Sequence, residues 1–317
     1  MFSDLQKRDG PYVSKTAGLG GLPSNIPDSP ICAVFIVLYI SFAATNMTIF
    51  QRNKKRDHKF VLSAMLFGFS MARITTLVLR IAWANRPHNA RLAIAANIFV
   101  NAGILLVYII NLILSQRILR AKQPHIGWHR IPRTGSKVFY YLIPAALIMV
   151  ITASVVSAYS LNPETRASCR DVQLTAMTYL LIFTCLPLLH IAPAVLLPRS
   201  ADEEAFGEGS MLAKVVIVTL STCMCILVAG FKAGANWSPP RPAAHPAWYH
   251  SKSTFYVFNF MLEIFILSLL TFSRIDKRFY IPNGSTKQGD YTRMERKASD
   301  EREVHVEPET SEPKTEE

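Results

Sequence analysis

Charge is scarce in this chain: Asp, Glu, Lys and Arg make up 18% of its 317 residues, against about 25% in an average soluble domain. What charge there is collects between long apolar blocks, which excludes an ordinary soluble fold. Histidine is scarcer, and of the eight present only His190 falls within an apolar block. An intramembrane zinc enzyme needs several His or carboxylate ligands converging on one metal, so that class is set aside. No H-E-x-x-H, P-loop or Ser/His/Asp arrangement can be read. The chain is therefore read as a non-enzyme, with no catalytic, cofactor-binding or metal-ligating residues and no cofactor.

The five cysteines, Cys32, Cys169, Cys185, Cys223 and Cys225, do not make a disulfide framework. The last three lie in apolar blocks, where a free thiol behaves as a small hydrophobe. Cys32 and Cys169 are expected near one face, and a bridge between them is left open. No cleavable signal peptide is expected either, because residues 1–30 hold Gly18, Gly20, Gly21, Pro23, Pro27 and Pro30 and no apolar core. Gly18 to Gly21 reads as a flexible approach to the first helix.

Apolar residues, by contrast, are 50% of the chain. About 20 of them in a helix rising 1.5 Å per residue cross the ~30 Å hydrocarbon core of a bilayer. Seven blocks are long enough: 31–50, 60–84, 92–115, 138–159, 172–197, 212–231 and 253–273. Lipid demands that each backbone satisfy its own hydrogen bonds, so each block is a helix rather than a strand. The expected fold is all-α, a polytopic seven-transmembrane helix bundle over 31–273. An extracellular segment 1–30 precedes it. A juxtamembrane amphipathic segment 274–284 follows, carrying Phe272, Ile275, Phe279 and Tyr280 at helical spacing with the preceding span. The cytoplasmic tail 285–317 has ten acidic and six basic side chains and too little apolar surface to fold. Pro187 and Pro193 predict a kink in the fifth span.

Orientation follows from Lys and Arg. The loops 51–59, 116–137 and 198–211 and the segment 274–287 hold sixteen basic residues, against ten on the opposite side. The basic side is expected to face the cytoplasm, with the N-terminus outside, in the plasma membrane. The least secure crossing is the sixth, with Lys214 and Lys232 at its ends. The net charge of +12 flanks spans and meets anionic inner-leaflet lipid. It does not point to nucleic acid.

Ionisable groups within spans are costly and mark candidate sites. Arg73 in span two and Glu263 in span seven form a candidate intramembrane ion pair, either a lock on one conformation or a fixed packing contact. Arg80, nearer the outer end, is expected to snorkel to the headgroups. Asn97, Asn101 and Asn111 in span three, with Asn97 and Asn101 on one face, are candidate cavity or interhelical polar residues. Asn46 and Asn259 carry the same ambiguity, and His190 is read as a satisfied interior histidine. Trp237, Trp248 and Tyr249 fit an interfacial belt.

Gly20-Gly21-Leu22-Pro23, Ile49-Phe50-Gln51-Arg52-Asn53, His58-Lys59-Phe60, Phe67-Gly68-Phe69, Ala72-Arg73-Ile74, Leu79-Arg80-Ile81 and Asn111 carry a resemblance over residues 20–280. The chain resembles a fungal seven-transmembrane family of unknown function often labelled "family C-like G-protein-coupled receptor". Asn111, Arg117 and Glu263 give a weaker resemblance to the fungal lipid-translocating exporter (RTA-like) family. The first resemblance implies a receptor or sensor coupling an outer or intramembrane ligand to cytoplasmic loops. Its partners would be a small-molecule or lipid ligand and a cytosolic signalling protein. The second implies a transporter or lipid/sterol-handling protein, with Arg73, Glu263 and the span-three asparagines around a cavity. A non-catalytic membrane organiser is the third reading.

Overall fold

The structure is a computed structural model and describes residues 11–12, 16–56, 58 and 60–292. Among the described residues seven helices are long and apolar enough to cross a membrane. They include α1 (Asn25–Lys55), α2 (Val61–Asn85), and a third span divided into α3 (Ala90–Ala102) and α4 (Leu105–Lys122). After the short α5 (Pro124–Gly127) come α6 (Arg130–Tyr159), α7 (Pro163–Leu196) and α8 (Met211–Trp237). Span seven is composite: α9 (Lys252–Tyr256), a π-helical turn (Val257–Met261) and α10 (Leu262–Phe272). The single turn α11 (Ile275–Arg278) follows. No strand occurs among the described residues, only an isolated bridge between Thr16 and Pro242. The chain is a seven-helix integral membrane protein.

Local sequence explains the helix starts. Asn89 accepts from the backbone N–H groups of Arg91 and Leu92, Asn162 from that of Glu164 with Pro163 at the first helical position, and Ser210 from that of Ala213. Each satisfies donors that a helix leaves unpaired at its N-terminus. The helices overrun the apolar blocks by up to about two turns because these caps, not the last apolar residue, set their ends. Pro187 and Pro193 stand within the single helix α7.

Packing inverts the soluble pattern. Val34, Val37, Tyr141, Leu189, Leu196 and Phe272 are exposed, while Arg73, Asn111, Lys232, Asn259 and Glu263 are buried. Apolar side chains meet lipid, and polar ones turn inward where they have partners. Span three is the most buried of the seven, and it contacts α2, α6, α7 and α8. It is the axis of the bundle.

Two faces emerge. On one, Tyr12 N–H donates to the Ala158 carbonyl, and Ala17 N–H donates to that of Arg241. On the other, Glu204 N–H donates to the Ala121 carbonyl, and the Glu204 carboxylate accepts from the N–H groups of Gly289 and Tyr291 at 2.8 and 3.0 Å. These are the N-terminal and C-terminal faces.

Several expectations change. Gly18 to Gly21 is not a slack approach: Gly20 and Gly21 have positive φ, and a Cβ on Gly20 would strike the Phe255 ring. The segment 274–284 is not an amphipathic surface helix. Arg274 turns the chain through the left-handed region, and Ile275 and Phe279 are buried in the core. The tail does not begin at 285, since Tyr291 is buried against Trp128 and Phe206. The rest of the tail, from 293, and Lys59 in the first loop lie outside the described residues.

Candidate functional site

The site is built where span three breaks. Gly103 and Ile104 separate α3 from α4 while keeping right-handed helical backbone, and Gly103 N–H still donates to the Phe99 carbonyl at 3.4 Å. Arg73 reaches the end of α3 from α2, with Nη1 donating to the carbonyls of Val100 at 2.9 Å and Phe99 at 3.2 Å. Gly103 lets α2 pack closely here, because a Cβ there would sit 3.2 Å from the Ala72 Cβ, with the guanidinium carbon next at 3.4 Å. Arg73 Nη2 donates to Glu263 Oε1 at 2.6 Å, and Nε pairs with Oε2. Both side chains are fully buried. Phe69 and Phe260 place their rings 5.5 and 5.8 Å from the guanidinium.

A third charge joins them. Lys232 in α8 donates from Nζ to the same Val100 carbonyl, at 3.1 Å. Arg73 and Lys232 thus share one backbone carbonyl at the negative end of the α3 dipole, and of the two only Arg73 contacts the carboxylate. The apolar block ends at 231 and so sets Lys232 at the edge of the sixth span, whereas α8 runs on to Trp237. Trp237, an interfacial residue type five positions later, was the signal that the helix continues. On the other side of Glu263 is the π turn. There Tyr39 Oη donates to the Phe260 carbonyl at 3.2 Å, and Asn259 donates back to that of Phe255 at 3.0 Å. Extra turns of this kind frequently sit at functional positions.

The candidate asparagines do not converge on the pair. Asn97 is exposed, and Asn101 donates to the Asn97 carbonyl on its own helix at 3.1 Å. Their shared face looks away from the cluster, so they neither line a cavity around it nor join helices. Asn111 is buried and donates to Cys225 Sγ at 3.2 Å. Asn46 joins spans one and seven through Thr271 at 3.1 Å. His190 Nδ1 lies 3.2 Å from Ser115 Oγ.

Arg80 does not snorkel. It is buried and donates to Asp28 Oδ1 at 3.1 Å from Nη2, to Tyr256 Oη at 3.1 Å and to the Gly20 carbonyl at 2.8 Å. Asp28 is the hub of this second cluster. It also accepts from Tyr256 Oη at 2.6 Å, Lys252 Nζ at 2.5 Å and Ser24 N–H at 2.8 Å. Asp28 escaped notice because it precedes the apolar block among prolines, yet it occupies the first turn of α1. Cys32 bonds to Tyr256 Oη at 3.2 Å, and all five cysteines are free, so the Cys32–Cys169 bridge is not made.

A third tier closes the C-terminal face. Asp276 accepts from Arg274 Nε and Nη2, both at 3.0 Å, and from Asn53 at 3.2 Å. Burial pushes this carboxyl up, but the hydrogen bonds from Arg274 and Asn53 outweigh it and hold the carboxyl below its ordinary 3.8. A depressed carboxyl stabilises the fold above its ordinary pKa, and that contribution fades as pH falls through the lower folded-state value. Asp276→Asn is expected to cost on the order of 1 kcal/mol at neutral pH, since Arg274 is half exposed to screening. Its melting temperature should also fall less than wild type's below about pH 4. Parallel acid limbs for the two proteins in thermal melts would sink this assignment.

Fold and charge tiers together define a polytopic membrane protein whose seventh span is tied to the bundle at three depths. The model of a family described as "Protein of unknown function (DUF3112)" matches residues 208–280. That stretch runs from the start of α8 through span seven and contributes Lys232, Glu263 and Asp276. No curated protein and no solved structure matches the chain. Among the described residues no group of three His, Cys, Asp or Glu is placed to hold a metal ion.

Proposed function

We propose that this protein is a seven-transmembrane receptor or sensor of the plasma membrane, with its N-terminus outside, in which span seven carries the signal. The observation behind this reading is the Arg73–Glu263–Lys232 cluster at the break in span three, beside the π turn of span seven. A buried ion pair contributes little net stability compared with apolar residues of the same volume. Its best-attested use is to fix one arrangement among alternatives. Here it fixes span seven between an outer tier at Asp28 and an inner tier at Asp276. A ligand acting on the outer tier would bias the register of a span whose π turn already holds one extra residue. The inner end of that span then presents the change to the cytoplasmic loops. This takes the family C-like receptor resemblance as the better guide and assigns the chain no catalysis.

The broken third span favours a second reading, a transporter, because interrupted helices bind substrates and ions near the bilayer midplane in many carriers. In this chain the broken end is already filled by the protein's own Arg73 and Lys232, which supports the sensor first. Spin labels at Phe272→Cys and Leu196→Cys, in a background without native cysteines, would report the inner end of span seven in nanodiscs. Glu263→Gln is expected to shift their distance distribution towards a second population. Identical distributions in both proteins would defeat the switch. Flux of a fluorescent lipid analogue into liposomes, lost in Arg73→Ala, would favour the transporter.

A further inference from the structure

On the C-terminal face the last turn of α1, the loop at Gly207 and Glu208, and the segment after span seven enclose a cleft of about 420 Å³. This is large enough for a small-ligand site. Thr48 and Ile49 line its membrane side, while Arg52, Arg56, Arg274 and Lys277 bring four cations to it. The two carboxylates present are already engaged. Asp276 is held by Arg274 and Asn53, and exposed Glu208 lies 3.8 Å from Lys277. Arg52, in the last turn of α1, and Arg56, the residue that ends it, remain in the lining, and neither side chain has a hydrogen bond or ion pair to a described residue. The negative end of the α1 dipole offsets only about half a unit of their charge. His58 stacks on Tyr280 with ring centroids 4.3 Å apart, and both residues line the cleft.

We propose that this cleft binds the phosphate-bearing headgroup of an anionic membrane lipid. Two guanidinium forks lining one cleft match the oxygens of a phosphomonoester better than a lone carboxylate. The depth is right as well, since the cleft begins where the apolar part of α1 ends. From it an apolar seam runs into the bilayer along α1. Phe42 lies seven residues before Ile49, and the exposed Phe272 meets it edge-on at 5.9 Å. A phosphorylated inositol lipid fits both ends, with its acyl chains on the seam and its phosphates between Arg52 and Arg56. The proposal goes beyond the sensor reading and does not depend on it, because its test reads lipid capture and not helix motion.

The test uses the full-length protein in phosphatidylcholine nanodiscs doped with phosphatidylinositol 4-phosphate or, at matched charge, with phosphatidylserine. Bound lipid is read by native mass spectrometry and by thermal-shift titration. The phosphoinositide is expected to bind at least ten-fold more tightly than phosphatidylserine. Arg52→Gln with Arg56→Gln should weaken it on the order of thirty-fold, at roughly five-fold per cation. Lys54→Gln with Lys55→Gln, on the same turn but outside the cleft, should leave it within about two-fold. Equal capture of both lipids, or equal loss in the two double variants, would mean diffuse surface attraction and overturn the site. Soluble inositol bisphosphate binding as tightly as the lipid would overturn the lipid assignment in favour of a free phosphate ligand.

Discussion

Glu263→Ala is expected to destabilise the bundle by about 3–5 kcal/mol, the cost of leaving a buried charge without its partner. The loss should appear as a lower melting temperature in detergent and as faster proteolysis. Arg73 is its direct partner, and Lys232 stands close by on the Val100 carbonyl, so removing the carboxylate leaves two basic side chains without a counter-charge. Lys232→Met should soften it: the double variant Lys232→Met/Glu263→Ala is expected to be more stable than the sum of the singles requires. Additive effects would show that Lys232 does not belong to the cluster. Reversing the pair with Arg73→Glu/Glu263→Arg should rescue only part of the loss. A carboxylate at position 73 would face the Phe99 and Val100 carbonyls, which now accept from Arg73. Full rescue would mean that those carbonyls do not matter.

The second large effect belongs to Asp28. Asp28→Ala removes the acceptor of Arg80, Tyr256, Lys252 and Ser24 together. Arg80, buried beneath the Phe255 ring at 4.2 Å, then keeps no carboxylate, and a loss of about 3 kcal/mol is expected. Lys252→Ala should cost under about 1 kcal/mol, since that ammonium is a third exposed and can return to water. Cys32 offers a local readout, because its fully buried thiol bonds to Tyr256, which Asp28 holds. Maleimide labelling of Cys32 should accelerate in Asp28→Ala and stay slow in Lys252→Ala. Slow labelling in both would show that the N-terminal tier stands without Asp28.

The seven spans were legible because lipid imposes a length and a composition that few other environments do. Arg73 and Glu263 were legible as exceptions to that composition. Residues at the block ends were not. Lys232 and Arg80 look like boundary charges until the helix ends and Asp28 are known, and both then lie inside. The asparagines of span three show the opposite failure. Their spacing places Asn97 and Asn101 on one face, but which face looks inward is decided by α2, α6, α7 and α8 packing around span three. Tertiary position, not local pattern, separates a buried amide from an exposed one. The break at Gly103 was unreadable for a related reason, because one glycine in an apolar run is tolerated in a helix at a cost of about 1 kcal/mol. What sets this one apart is a guanidinium from another span donating to the carbonyls just before it.

That break also bears on how the protein is made. Arg73 and Glu263 are 190 residues apart, so at 5–20 residues per second the arginine leaves the ribosome roughly 10–40 s before its carboxylate. The Phe99 and Val100 carbonyls follow it by only 26 and 27 residues. The end of α3 is therefore the first partner that synthesis offers the guanidinium, available once the third span has been made. The carboxylate that completes the cluster comes with the last helix to enter the bilayer.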